Sequence, residues 1–284
     1  MRSILHDLFA AAATTGRMEF VSAFAKPYPA LTIATVMGAP LEDATRLAHW
    51  SNWIQRQFDG PSLTTQRAEI ESAVAEFYAW CDALLAEKRA RGGDDLVSVL
   101  VAAEAEGDRL SDVELVNLVL NVLIGGVDNT QAQLAHALRL FATHPEQWAL
   151  LRDEPSRVPR AVEEVLRHEP ITPFTARILT ADVSHRDVLF PAGTVVMVCS
   201  FTGNRDAAGD SGFDISADRE GARLMTFGAG IHFCVGSNLA RAELEEALAF
   251  LAPRLPGLGL DGDPVLGTIQ GIYGLDALPI AWSR

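Results

Sequence analysis

Cysteine is scarce: Cys81, Cys199 and Cys234 are the three in 284 residues. An odd, scattered set forms neither a disulfide framework nor the Cys/His spacing of a zinc site, and it suits a reducing compartment. Positive charge is also short, with 23 Lys and Arg against 37 Asp and Glu and a net charge of -14. That balance argues against nucleic acid and anionic membranes as partners. Long apolar runs are missing too. The most apolar stretch, Leu115 to Ile124, is interrupted by Asn117 and Asn121; it is too short to span a bilayer and reads as a buried helix. No membrane anchor, repeat, low-complexity tract or linker is visible, and residues 1–13 lack a signal-peptide layout. The expected location is cytoplasmic. With 49% hydrophobic residues, the chain can build one sizeable core or two small ones.

The first two-thirds read as helices. Pro27 to Met37 is an apolar segment stopped by Gly38 and Pro40, and Leu41 to Phe58 follows. Gln66 to Arg91 is amphipathic, with basic residues in its last turn and Gly92-Gly93 as its stop. Ser111-Asp112-Val113-Glu114 is a capping box. It opens a helix expected to run to Ala142, about 48 Å long at 1.5 Å per residue. Ser156 to Arg167 is a further helix. Ile178 to Phe190 and Thr194 to Phe201 alternate and predict strands, joined by a Pro191-Ala192-Gly193 turn. The tail, Thr268 to Trp282, predicts a hairpin. The fold class is mainly α with small β-sheets.

The most informative stretch is Phe227-Gly228-Ala229-Gly230-Ile231-His232-Phe233-Cys234-Val235-Gly236. Closely spaced glycines let backbone approach a flat ligand, because they tolerate positive φ. An amphipathic run from Gly236 and Ser237 reads as a helix starting just after Cys234. Its free N–H groups would stabilise a thiolate, and a fixed thiolate is a soft metal ligand.

This loop resembles the haem-binding signature of the cytochrome P-450 family, Phe-Gly-x-Gly-x-His/Arg-x-Cys-x-Gly, at every fixed position. Leu239-Ala240-Arg241-Ala242-Glu243 is also similar to bacterial members. The resemblance covers essentially the whole chain. It implies a P-450 fold, haem b (iron protoporphyrin IX) as cofactor, and Cys234 as the axial ligand of the haem iron. Phe227, Gly228 and Gly236 would frame that ligand. Arg177 and His232 match residues that hold the haem propionates.

Gly125-Gly126-Val127-Asp128-Asn129-Thr130 lies inside the long helix. Two interior glycines cost roughly 1 kcal/mol each against alanine. Read alone, they serve either close helix packing or the approach of a ligand. The resemblance favours the ligand and places the segment over the distal haem face. Gly125 and Gly126 would then give oxygen or substrate access, and Asp128 would be the acid of the family's acid–alcohol pair. Asn129 stands where the family has a threonine, and Thr130 is a second hydroxyl about 100° further round the helix. Glu164 and Arg167 match the family's buried Glu-x-x-Arg pair, with Arg219 as its third member. Many bacterial relatives carry a histidine three residues before the loop Phe; here that place is Leu224, beside Arg223.

The implied function is a haem-thiolate monooxygenase. It would insert one oxygen atom from dioxygen into a small apolar organic substrate, by hydroxylation or epoxidation. Electrons would come from a ferredoxin or flavodoxin-type partner. Pocket walls are expected from Val122, Ile124, Gly125, the Ile171-to-Phe174 segment, and the tail near Ile272 and Tyr273. A complete member runs to roughly 400 residues, so residues 1–284 are expected to be one P-450 domain lacking about 110–120 N-terminal residues. The alternative is a truncated or degenerate, non-catalytic remnant of the haem fold.

Overall fold

The computed structural model describes every residue except 14, 106–109, 207–211, 220–223, 268–270 and 284. Its first half is α1 (Arg2–Ala12), β1 (Arg17–Glu19), α2 (Pro27–Met37), α3 (Ala44–Gln55), α4 (Gly60–Thr65), α5 (Arg67–Arg91), α6 (Leu96–Ala105) and α7 (Asp112–Gly126). Then come α8 (Asp128–Thr143), α9 (Pro145–Asp153), α10 (Val158–His168), β2 (Phe174–Ile178), β3 (Val183–His185), β4 (Val188–Phe190) and β5 (Val195–Cys199). The chain ends with α11 (Ser200–Asp206), α12 (Ser237–Leu251), β6 (Gly259–Leu260), β7 (Val265–Leu266), β8 (Leu275–Ala277) and β9 (Pro279–Ala281). The fold is mainly helical with small sheets, as expected.

Local chemistry sets several boundaries. Pro27 opens α2, where its missing N–H costs nothing, and Gly38 closes it at φ 66. Ser111 and Glu114 form both halves of the capping box on α7. The single long helix expected from there is broken at Val127, with ψ at -72. Together α7 and α8 run over 32 residues, long and apolar enough to cross a membrane by length and composition. They serve instead as the central core element, with eleven side chains of α8 buried.

The strands differ from expectation. The stretch 178–190 is not one strand. Its first residue ends β2, which pairs antiparallel with β5; residues 179–182 connect, and 183–190 form the β3–β4 hairpin. That hairpin turns at Arg186, held at φ 53. The tail is not a hairpin either, and residues 268–270 lie outside the described set. β8 pairs with β7, while β9 lies between β1 and β6. Ile280 thereby faces Met18 on one side and Leu260 on the other.

Two hydrophobic clusters make the core. One joins α2, α3, α5 and α7 around Trp50, Phe77 and Leu123. The other joins α8, α10, α12 and the β1–β9 sheet around Phe24, Phe141 and Leu248. α7 belongs to the first and α8 to the second, so the break at Val127 lies at their seam.

Candidate functional site

Gly228 and Gly230 sit at φ 70 and 68, the left-handed region that glycine enters without a Cβ penalty. The loop closes when the Cys234 N–H donates to the Phe227 carbonyl at 2.9 Å and the Phe233 N–H to that of Gly230 at 3.1 Å. Gly236 is the N-cap of α12. Cys234 therefore stands just before a helix start and is exposed, as is His232. Ile231 and Val235, on either side, are 97% and 94% exposed. That is a strongly apolar rim for a solvent-facing loop. The loop and the start of α12 touch both cores: Phe227 packs on one and Leu239, in the first turn of α12, on the other. The Arg241 guanidinium lies 4.5 Å from the Phe227 ring centroid. Glu163 holds that guanidinium through a 2.5 Å contact.

On β2, Arg177 lies opposite Val196. It is exposed; its NH1 donates to the Ala176 carbonyl, and among the described residues no carboxylate pairs with it. The other face of this two-stranded sheet carries Phe174, Ile178, Val195 and Met197, each more than half exposed.

Both glycines end α7, just before the break at Val127, and they face different surroundings. A Cβ at Gly126 would lie 2.3 Å from Ile33 Cδ1 on α2, whereas at Gly125 nothing lies within 4 Å. The close approach at Gly126 is to α2, the helix-packing alternative for these glycines, and the open glycine is Gly125. Asn129 is partly exposed, and its Nδ2 donates to the Gly125 carbonyl at 3.2 Å. This satisfies a carbonyl one turn back, while Oδ1 stays an acceptor. Asp128 and Thr130 are buried. Ser51, on α3, donates to Asp128 Oδ2 at 2.5 Å. Burial pushes the Asp128 carboxyl above its usual range, with Ser51 and Asn52 opposing the shift. Of the three residues, Asn129 alone reaches the open side with Gly125.

Glu164 and Arg167 make a bidentate pair, both contacts at 2.8 Å, with side chains almost fully buried. Arg219 adds contacts of 3.3 and 3.2 Å to the same carboxylate, and the Asp214 N–H donates at 3.0 Å. Burial disfavours the Glu164 charge, but Arg167, Asp214 and Arg219 outweigh it and hold the pKa below the usual value. A cavity of about 450 Å³ opens beside this cluster, between Arg160, Glu163 and Arg219. It lies behind α10 and does not include Cys234. Leu224 packs on the core, and Arg223 lies outside the described residues.

Sequence reasoning missed Ser51 as the partner of Asp128, and it missed Glu243. Both side-chain oxygens of Glu243 are buried and have no partner among the described residues, and burial pushes its pKa up to about 8. A single residue in a helix carries no sign of such distant surroundings.

The exposed thiol on a left-handed glycine loop, the unpaired Arg177 guanidinium and the open Gly125 fit a flat apolar ring with a metal centre and carboxylate edges. Fold and loop together define a haem-thiolate architecture. A family model for cytochrome P-450 matches residues 59–209. Luteothin monooxygenase of Streptomyces thioluteus is 38% identical over 93% of this chain and 66% of its own length. Mycinamicin IV hydroxylase/epoxidase of Micromonospora griseorubida is 36% identical over 99% of this chain and 71% of its own. The solved structure of CalO2 superposes with a TM-score of 0.92 at 32% identity, covering 99% of this chain and 72% of that one. This chain belongs to the cytochrome P-450 family. It spans 66% to 72% of the length of these relatives.

Proposed function

We propose that this chain forms one P-450 domain, the larger part of a haem-thiolate monooxygenase that acts on a small apolar organic substrate. The observation that carries this reading is the Cys234 loop, an exposed thiol framed by left-handed glycines ahead of α12. When bound, haem b would supply activation of dioxygen and transfer of one oxygen atom, as hydroxylation or epoxidation. Cys234 would hold the iron through its sulfur. Arg177 and His232 would donate to the carboxylate edges, where a planar guanidinium suits a carboxylate.

On the opposite side, Asp128 serves as the proton-handling group. Its burial raises the share of protonated carboxyl, which suits a group that must give a proton as well as take one. Ser51 fixes the orientation of its Oδ2. Asn129 spends its amide donor on Gly125 and leaves one acceptor for a water. Val122, Ile124 and Gly125, with the Ile171-to-Phe174 and Ile272–Tyr273 segments, wall the substrate space. Electrons come from a ferredoxin or flavodoxin-type protein.

A second reading, a non-catalytic haem-fold remnant, draws on Asn129, which has no hydroxyl to pass a proton. The carbon monoxide difference spectrum of the dithionite-reduced protein separates the two. A band near about 450 nm that Cys234→Ser abolishes supports thiolate-ligated haem, and an unchanged spectrum in the variant refutes Cys234 as ligand. Failure to take up haem favours the remnant.

A further inference from the structure

A buried polar cluster ties α8 to the tail. His136 is fully buried, and its ring stacks on Tyr273 at 4.3 Å between centroids and 22° between planes. Its Nδ1 accepts from Arg139 Nε at 3.2 Å. Burial, then the Arg139 charge, lowers its pKa to about 3. The ring is therefore neutral at pH 7, and its one proton is on Nε2. The ring also interacts with the Tyr273 backbone, while among the described residues Nε2 makes no hydrogen bond of ordinary geometry. Arg139 also holds Glu169 Oε1 at 2.7 Å, and Gln133 Nε2 donates to the Glu169 carbonyl at 3.0 Å. Among the described residues this leaves two buried acceptors without partners, Gln133 Oε1 and Glu169 Oε2. One donor and two acceptors match a single water, which accepts once and donates twice.

The same cluster grips the tail segment. The Tyr273 N–H donates to the Ile171 carbonyl at 2.7 Å, and a Cβ on Gly274 would touch Ala132 of α8 at 3.4 Å. Ala132 lies one residue beyond the first turn after Asp128. Whatever fixes Tyr273 therefore fixes where Ile272 and Ile171 stand relative to the Asp128–Asn129 turn.

We propose that His136 is a positioning residue: through its stack on Tyr273, and one buried water shared with Gln133 and Glu169, it sets the tail segment as a wall of the substrate space. This deepens the monooxygenase reading, and its first test does not depend on that reading.

Hydrogen–deuterium exchange over residues 271–277 is compared in the full chain and in His136→Ala, His136→Phe and Tyr273→Leu. His136→Ala and Tyr273→Leu should speed exchange at the Tyr273 amide by about tenfold, while exchange in α10 and α12 is unchanged. His136→Phe, which keeps a flat ring, should restore most of the protection. Unchanged protection in both ring-removing variants overturns the proposal, and so does equal acceleration throughout the molecule. In haem-loaded protein, His136→Ala should raise the Kd of 4-phenylimidazole by about tenfold and that of imidazole less than twofold, because the phenyl group alone reaches the wall. A parallel change in both ligands overturns the wall assignment. Failure to load haem counts against the monooxygenase reading and leaves the exchange result standing. A crystal structure with no water between His136 Nε2 and the two acceptors would remove the water from the proposal.

Discussion

Replacing Glu243 with Gln tests whether a buried, unpartnered carboxyl governs how stability depends on pH. Glu243 is fully buried on α12. Its pKa rises from 4.5 to about 8 because burial penalises the charged form. The folded protein therefore keeps a proton that the unfolded chain releases above its own pKa. Between these two values the folded state binds more protons, so stability falls as pH rises and levels off above about 8. At pH 7 the side chain is some 2.5 pH units above its unfolded value, a cost of about 3 kcal/mol relative to acid conditions. Gln cannot ionise and carries no such slope. Urea unfolding of both proteins from pH 5 to pH 8, followed by circular dichroism, cancels the titration of every other group in the difference. Wild type should lose about 3 kcal/mol relative to the Gln variant across that range. Parallel stability curves, or a wild type that gains on the variant as pH rises, would show that Glu243 is ionised and paired in solution.

Three other perturbations bear on the site. Glu164→Ala leaves the buried Arg167 and the partly buried Arg219 without their shared carboxylate and should cost about 3–5 kcal/mol in urea unfolding; a loss under about 1 kcal/mol would show that the cluster is hydrated. Because the Glu164 pKa is depressed, the stability it confers is present at neutral pH and fades as pH falls through its folded value. Gly126→Ala must displace Ile33 and should destabilise by about 1–3 kcal/mol, whereas Gly125→Ala should stabilise by up to about 1 kcal/mol. Equal effects at the two glycines would contradict the packing described. Ser51→Ala leaves burial less opposed at Asp128 and should raise its pKa further, read from the carboxyl carbon by NMR across pH; a fall would show that Ser51 is not its donor.

How much the sequence revealed follows the range of the interactions. The Cys234 loop, the α2 and α5 boundaries and the Ser111 cap depend on neighbours within a few residues, and all were legible. Glu164 and Arg167 were visible as a pair because they share a helix face. The break at Val127 was not: Val127 is neither Gly nor Pro, and the α2 side chain Ile33 that packs at Gly126 beside it is about ninety residues away in sequence. The strand registers were missed for a related reason: a run of alternating residues from 178 to 190 does not say where the chain turns, and Arg186 takes a left-handed conformation without being glycine. Ser51 and Asp128 are 77 residues apart and His136 and Tyr273 still further, so only the folded chain brings them together.

The seam at Val127 also bears on how the molecule can vary. Side chains packed on α7 and on α8 belong to separate clusters, so substitutions in one should add to those in the other with little coupling. Away from the crossings at Ser51–Asp128 and at Tyr28, which packs in the second cluster and donates to the Glu243 carbonyl, the half around α3 and α5 can be reshaped with little effect on the half that carries α10 and the ionic cluster. A lineage could then explore new binding preferences on one side while the other, slower to change, keeps the loop in place. Asp128 stands at the border, where both histories meet.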